Sequence, residues 1–195
     1  MDVWYAKAAV LAGAIVMIAI RAPHGQRSRG VKVAKRRAGP LERVLLTIAM
    51  GSFFLSLLWV AAPSRILAFA DYPLSPVPFA CGVACLAVGL WLFHRSHADL
   101  GTNWSVTLEV REGHTLVTRG VYARIRHPMY SALLLFSVGQ ALVLPNWLAG
   151  PSYLVAMALL FALRVGPEEQ MMRDEFGAAY SEYAARTKRL LPGVW

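Results

Sequence analysis

The sequence predicts an all-α polytopic membrane protein with five transmembrane helices, a small cytoplasmic β-hairpin and a C-terminal cytoplasmic amphipathic helix. Three observations carry this expectation. Of 195 residues, 57% are hydrophobic and only 16% are charged, against about 25% charged in a typical soluble domain. The apolar residues are gathered into long runs, of the length needed to cross roughly 30 Å of hydrocarbon. Finally, 18 of the 20 Lys and Arg residues lie in the segments 21–43, 95–127 and 164–195, with charge-poor connections between them. That bias places these three segments in the cytoplasm and the N-terminus outside.

The first run, Val3 to Ile20, is interrupted only by Lys7, whose long side chain can snorkel to the nearer interface. It has neither a basic leader nor a small-residue cleavage site, so it reads as a span rather than a signal peptide. The loop from Arg21 to Gly39 is strongly basic and has no acidic residue. The second run extends from Leu41 to Ala62, with Glu42 and Arg43 at its wet end, and Pro63 stops or kinks it. Pro73, Pro76 and Pro78 mark the connection to the third run, Val77 to Phe93, whose Gly and Ala residues permit close helix packing.

From residue 96 to 126 the chain is no longer membrane-like. Residues 104–110 alternate as a strand, 111–114 supply a turn and 115–118 read as a second strand. Pro128 suits the first turn of a fourth helix ending near Val143. Residues 144–147 form a tight link with Trp147 as an interface anchor, and a fifth helix runs from Leu148 to about Val165. Both helices are short for straight crossings, so bilayer thinning or a hairpin tucked against its neighbours is expected. Residues 167–192 are helix-forming, with Pro167 in the first turn and Glu168 and Glu169 favourable to the helix dipole. Met172, Phe176, Tyr180 and Tyr183 form one apolar and aromatic stripe.

The net charge of +9 does not imply nucleic acid, because the basic residues sit in short loops without aromatic interleaving. Cys81 and Cys85 lie four apart in an apolar run and suggest neither a disulfide framework nor a metal site. His94 and His97 lack a third ligand at metal-site spacing and are expected at a helix end or interface, so no metal is predicted. No dinucleotide fingerprint, P-loop or nucleophile elbow occurs.

Polar density peaks in Arg119 to Tyr130, R-G-V-Y-A-R-I-R-H-P-M-Y, at the mouth of the fourth helix. Buried there, such groups are costly without water, a partner or a ligand. Together with Arg164, Glu168 and Glu169 they make a site at the membrane–water boundary. Its chemistry suits a zwitterionic, partly aromatic cofactor meeting a lipid-like substrate, or equally a lipid headgroup with no reaction. Arg124 reads as well as an orienting surface charge, and Gly120 as well as a simple turn residue.

Residues 100–105 (L-G-T-N-W-S), 116–130 (L-V-T-R-G-V-Y-A-R-I-R-H-P-M-Y), 164–169 (R-V-G-P-E-E) and 175–183 (E-F-G-A-A-Y-S-E-Y) together resemble the isoprenylcysteine carboxyl methyltransferase family, itself similar to the phospholipid methyltransferases. The likeness covers about 90–195, a cofactor-binding catalytic core preceded by N-terminal helices over 1–62 in a single domain. It implies an integral membrane enzyme that uses S-adenosylmethionine, with S-adenosylhomocysteine as product, on a lipophilic or prenylated acceptor in contact with membrane lipid. The expected location is the inner (plasma) membrane of a prokaryote.

By the family pattern Leu116, Val117, Gly120, Tyr122, His127 and Tyr130 belong to the cofactor pocket, and Glu168, Tyr180 and Tyr183 close it. Arg164 or Arg126 would fix an acceptor carboxylate, with Glu168 as the third catalytic candidate, orienting the arginine or acting as base toward an amine. Two departures stand out: Val121 replaces the usual proline between Gly120 and Tyr122, and Ser131 and Ala132 stand where a glycine is common, which would narrow the pocket. A lipid-amine N-methyltransferase, an NADPH-dependent sterol or lipid reductase and a non-catalytic lipid-binding protein are the competing readings.

Overall fold

The computed structural model describes residues 1–30, 32–36, 39–61, 66–104, 106–107, 109–111, 113 and 115–191. Five helices dominate: α1 (Val3–Arg29), α2 (Pro40–Ala61), α3 (Pro76–Leu100), α4 (Pro128–Val143) and α5 (Ala149–Arg186). Among the described residues four of these, all but α4, are long and apolar enough to cross a membrane, and α4 is a shorter apolar helix. The protein is therefore an integral membrane protein by helix length and composition, with four candidate spans where five were expected. Pro63, expected to stop the second helix, lies outside the described residues.

The tightest packing is between α3 and α4, and it rests on small residues. A Cβ on Gly89 would come within 2.9 Å of the Phe136 backbone nitrogen, and one on Gly139 within 2.7 Å of that of Leu86. Only hydrogen fits there, so the backbones touch as the Gly-rich third run predicts. Helix α5 packs between α4 and α2, and α1 lies against α3. Phe136, Tyr153, Met157 and Phe161 bury their side chains in the shared core.

Two expectations are corrected. The hairpin does not form: β2 (Glu109–Arg111) pairs antiparallel with β1 (Val33–Arg36) from the basic loop, and residues 115–118 are not a strand. Alternation identifies a strand but not its partner, and here the partner lies more than seventy residues away in sequence. Ser105, Leu108, Glu112 and His114 of the expected strand and turn lie outside the described residues.

The break between the last apolar run and the C-terminal helix also lies elsewhere than expected, at Gly177 rather than ahead of Pro167. Helix α5 continues through Pro167 and breaks only at Gly177, where φ is +54°. The missing N–H of one proline costs a single ladder bond, whereas a positive φ takes the backbone out of the helix altogether. The expected last residue, Pro192, lies outside the described residues, and α5 ends at Arg186.

Candidate active site

Continuity of α5 puts Arg164 and Glu168, four residues apart, on one face. Opposite them stands the start of α4, where Pro128 occupies the first turn and His127 the cap position. The chain ahead of α4 is tied down from behind. After α5 ends, residues 187–190 run back alongside it: Arg126 N–H donates to Lys188 O at 2.7 Å, His127 N–H to Arg189 O at 3.0 Å, and Ser131 Oγ to Leu190 O at 2.7 Å.

Glu169 is the anionic hub of this strap. Its side chain is 2% exposed and accepts from Arg126 Nε at 2.9 Å, from Arg189 Nη2 at 3.1 Å and from His127 Nε2 at 3.3 Å. A carboxylate facing Nε2 requires the proton on that nitrogen. The Glu169 carboxylate also raises the pKa of Arg189 above its ordinary value, through the hydrogen bond. Arg126 further donates through Nη1 to the carbonyls of Ala184 and Thr187, satisfying open acceptors at the end of α5. Arg126 thus spends two of its three nitrogens on joining the polar stretch to α5.

Glu168 takes the cavity side. Its Oε2 accepts the Tyr130 hydroxyl at 2.8 Å and lies 3.6 Å from Arg164 Nε. Arg164 is buried, its Nη1 is 3.2 Å from Glu42 Oε1, and its Nε has no hydrogen-bond partner. A buried guanidinium with an unbonded donor is expensive; the Glu168 carboxylate beside that Nε offsets part of the cost, and Arg164 also lines the cavity.

The third wall is the segment 116–122. Gly120 has φ +61°, and an added Cβ would lie 2.1 Å from Asp99 Oδ2. Asp99 accepts Val121 N–H at 2.9 Å, so an α3 carboxylate pins this turn. Gly120 is therefore both a turn glycine and a point of close approach, but it is not itself in the cavity wall. Tyr183 donates to Tyr122 O at 2.7 Å and closes the segment against α5. Burial pushes the Tyr122 hydroxyl far above its ordinary pKa, keeping it a neutral donor.

These walls enclose roughly 1230 Å³, part of it open to solvent. Leu116, Val117, Tyr122, His127 and Tyr130 line it, as do Glu168, Tyr180 and Tyr183, together with Arg126 and Arg164. Every residue expected in the cofactor pocket or as a catalytic candidate, except Gly120, therefore lines one cavity, whereas Glu169 stands behind its wall. Aromatic and polar side chains, Trp104 among them, share the lining with the apolar helix residues Leu46, Leu133 and Leu160. Met172 of the expected stripe lines it and Phe176 does not. Ser131 and Ala132 do not narrow it: Ser131 bonds the strap, and Ala132 is buried where α4 meets α3.

Arg124 is exposed, as a surface charge should be. His97 lies in the last turn of α3, a helix end as expected, but is fully buried rather than interfacial, with Nδ1 2.9 Å from Phe93 O and its ring beside Trp104. Among the described residues no group of three or more His, Cys, Asp or Glu could hold a metal. Asp99 and Glu42 had no local signal as site residues, since each contacts a residue distant in sequence, whereas Glu169 was expected in the site and serves as the hub of its strap.

Comparison with known proteins converges on this half of the chain. Residues 81–174 match the model of the isoprenylcysteine carboxyl methyltransferase (ICMT) family. Protein-S-isoprenylcysteine O-methyltransferase B of Arabidopsis thaliana is 34% identical over 115 residues, 58% of each chain. The human protein-S-isoprenylcysteine O-methyltransferase is 38% identical over 115 residues, 58% of this chain and 40% of that one. The solved structure of the eukaryotic intramembrane Ras methyltransferase ICMT superposes with a TM-score of 0.54 at 26% identity, covering 83% of this chain and 55% of that one. The chain spans about half the length of the curated relatives it matches.

Proposed function

We propose that this chain, whose residues 81–174 match the isoprenylcysteine carboxyl methyltransferase family, is an S-adenosylmethionine-dependent O-methyltransferase of a lipophilic carboxylic acid, of the isoprenylcysteine kind. The observation that carries the reading is Arg164: a buried guanidinium in the wall of one cavity that aromatic, polar and apolar side chains line together.

The donor set fits the cofactor. Tyr122, Tyr130, Tyr180 and Tyr183 offer aromatic faces to a purine, Leu116 and Val117 backbone groups and apolar contact, and Glu168 a carboxylate for ammonium or hydroxyl groups. When bound, the cofactor supplies an electrophilic methyl group on a sulfonium. The protein's own share is alignment and electrostatics, which in well-oriented cases contributes up to about 7–11 kcal/mol. Arg164 holds the acceptor carboxylate, already ionised at neutral pH, so no general base is needed. Leu46, Leu133 and Leu160 take its apolar chain and exclude water from the reacting end. Tyr130 fixes Glu168 beside the guanidinium, and the Glu169 strap holds His127 and Arg126 in the wall. In this reading the cavity end of the bundle faces the cytoplasm and the N-terminus lies outside.

The test is transfer of labelled methyl from the cofactor to S-prenylated cysteine acids, with calorimetry of S-adenosylhomocysteine binding. Label released as methanol by base identifies an ester and supports the reading. Base-stable label would instead mark an amine acceptor, with Glu168 as proton acceptor. Absence of S-adenosylhomocysteine binding, or protection by NADPH in its place, overturns the methyltransferase reading altogether.

A further inference from the structure

The N-terminal helices lie ahead of the family match, yet one of their acidic side chains reaches the site from behind. Glu42 is in the first turn of α2, 6% exposed, with Oε1 3.2 Å from Arg164 Nη1. Glu42 is not in the cavity wall and Arg164 is, so the arginine separates the carboxylate from the cavity. Leu46, one helical turn further along α2, does line the cavity beside them. On its other flank Arg164 meets Glu168, whose Oε2 is held by Tyr130.

An arginine side chain has four rotatable bonds, and its use as a bidentate clamp depends on the plane in which its fork is held. Here carboxylates from two helices flank the guanidinium, Glu42 at 3.2 Å from Nη1 and Glu168 at 3.6 Å from Nε. Nη1 is turned toward α2, and Nε, on the edge facing Glu168, is left without a hydrogen bond.

We propose that Glu42 is a positioning residue for methyl transfer: it holds the Arg164 guanidinium from behind so that its remaining donors meet the acceptor carboxylate, which makes α2 part of the acceptor site. This rests on Arg164 binding the acceptor, as argued above. Two other roles for the same ion pair predict different results. A mere tie between α2 and α5 would affect stability and leave the acceptor KM alone. A carboxylate that only neutralised the arginine would weaken acceptor binding, and its removal would tighten it.

The experiment is steady-state kinetics of the full-length protein in lipid nanodiscs with an S-prenylated cysteine acid, alongside calorimetry of S-adenosylhomocysteine. Glu42→Gln keeps the shape and removes the charge. It should raise the acceptor KM about 10- to 100-fold while the S-adenosylhomocysteine Kd stays within about twofold of wild type. Glu42→Asp, which keeps the charge on a shorter arm, should recover part of the loss. An unchanged or lowered acceptor KM in Glu42→Gln overturns the proposal while leaving the methyltransferase reading in place. If the wild-type protein binds S-adenosylhomocysteine but transfers nothing to acids, the acceptor assignment falls and the role of Glu42 falls with it. Should Glu42→Gln lose S-adenosylhomocysteine binding, Glu42→Asp decides by the same criterion: a raised acceptor KM at unchanged cofactor affinity supports the proposal, and an unchanged KM overturns it.

Discussion

At the end of the bundle where residues 66–76 meet the α4–α5 link, Asn146 is fully buried and every polar group of its amide is used. Its Nδ2 donates to Asp71 Oδ1 at 2.7 Å and Leu67 O at 2.8 Å, and its Oδ1 accepts the backbone N–H groups of Leu148 and Ala149. Trp59 Nε1 donates to the same Asp71 oxygen at 2.7 Å, and Trp147, 73% exposed, stands outside the knot. At the opposite end polar groups are buried as well, but they are charged, come from α2, α5 and the chain just ahead of α4, and lie at a cavity. The first knot is closed: it caps α5 and, together with the Tyr72 N–H to Pro145 O and Trp147 N–H to Ala70 O bonds, joins two connections. The second is left open at Arg164, and an incompletely satisfied buried charge beside a cavity is the mark of a binding site rather than of a fastener.

The largest test of this contrast is inside the charged end itself. Glu169→Ala removes the shared partner of Arg126, His127 and Arg189, and thermal unfolding should show a loss of about 3–5 kcal/mol, because buried cations are left without an anion. Glu169 thereby belongs with the fasteners even though it borders the site. Arg164→Met should differ in kind. Its Tm also falls, because Glu42 is left buried without its cation, but in folded protein that still binds S-adenosylhomocysteine kcat/KM for an acidic acceptor should fall about 100- to 1000-fold. Retained turnover in that variant would erase the distinction between the two ends.

Asn146→Ala sharpens the comparison from the other side: stability should drop by about 1–3 kcal/mol from the lost cap and the stranded Asp71 and Leu67 acceptors, with KM and kcat unchanged. Any rise in acceptor KM there would mean that the two ends are coupled through α5. The smallest effect is expected from Arg124→Ala, an exposed charge within two residues of Arg126. Both stability and turnover should stay within about 0.5 kcal/mol of wild type.

Much of the candidate site was legible in the chain because its parts are local. R-H-P-M-Y and R-V-G-P-E-E each sit at the polar end of an apolar run, and one helical turn between Arg164 and Glu168 already puts both on one face. The strap was not legible. Residues 187–190 bond to 126–131 through backbone groups, which every residue possesses, so nothing in the side-chain pattern announces the pairing. The β1–β2 pair failed for a related reason, since alternation names a strand without naming its partner. Pro167 misled because a helix breaker is a local argument, and packing of α5 against α2 and α4 outweighs one missing hydrogen bond.

Hydrophobic run lengths and the distribution of basic residues determined by themselves that this is a helical membrane protein with its polar segments gathered at one end. Both are properties of transfer between water and lipid, which each segment meets on its own. Which carboxylate serves which cation was decided only by the tertiary structure. Glu168 and Glu169 are neighbours in sequence, yet the 100° step between them turns one toward the cavity and the other into the strap. Glu42 acquires its role only because α2 packs against α5 and brings it to Arg164.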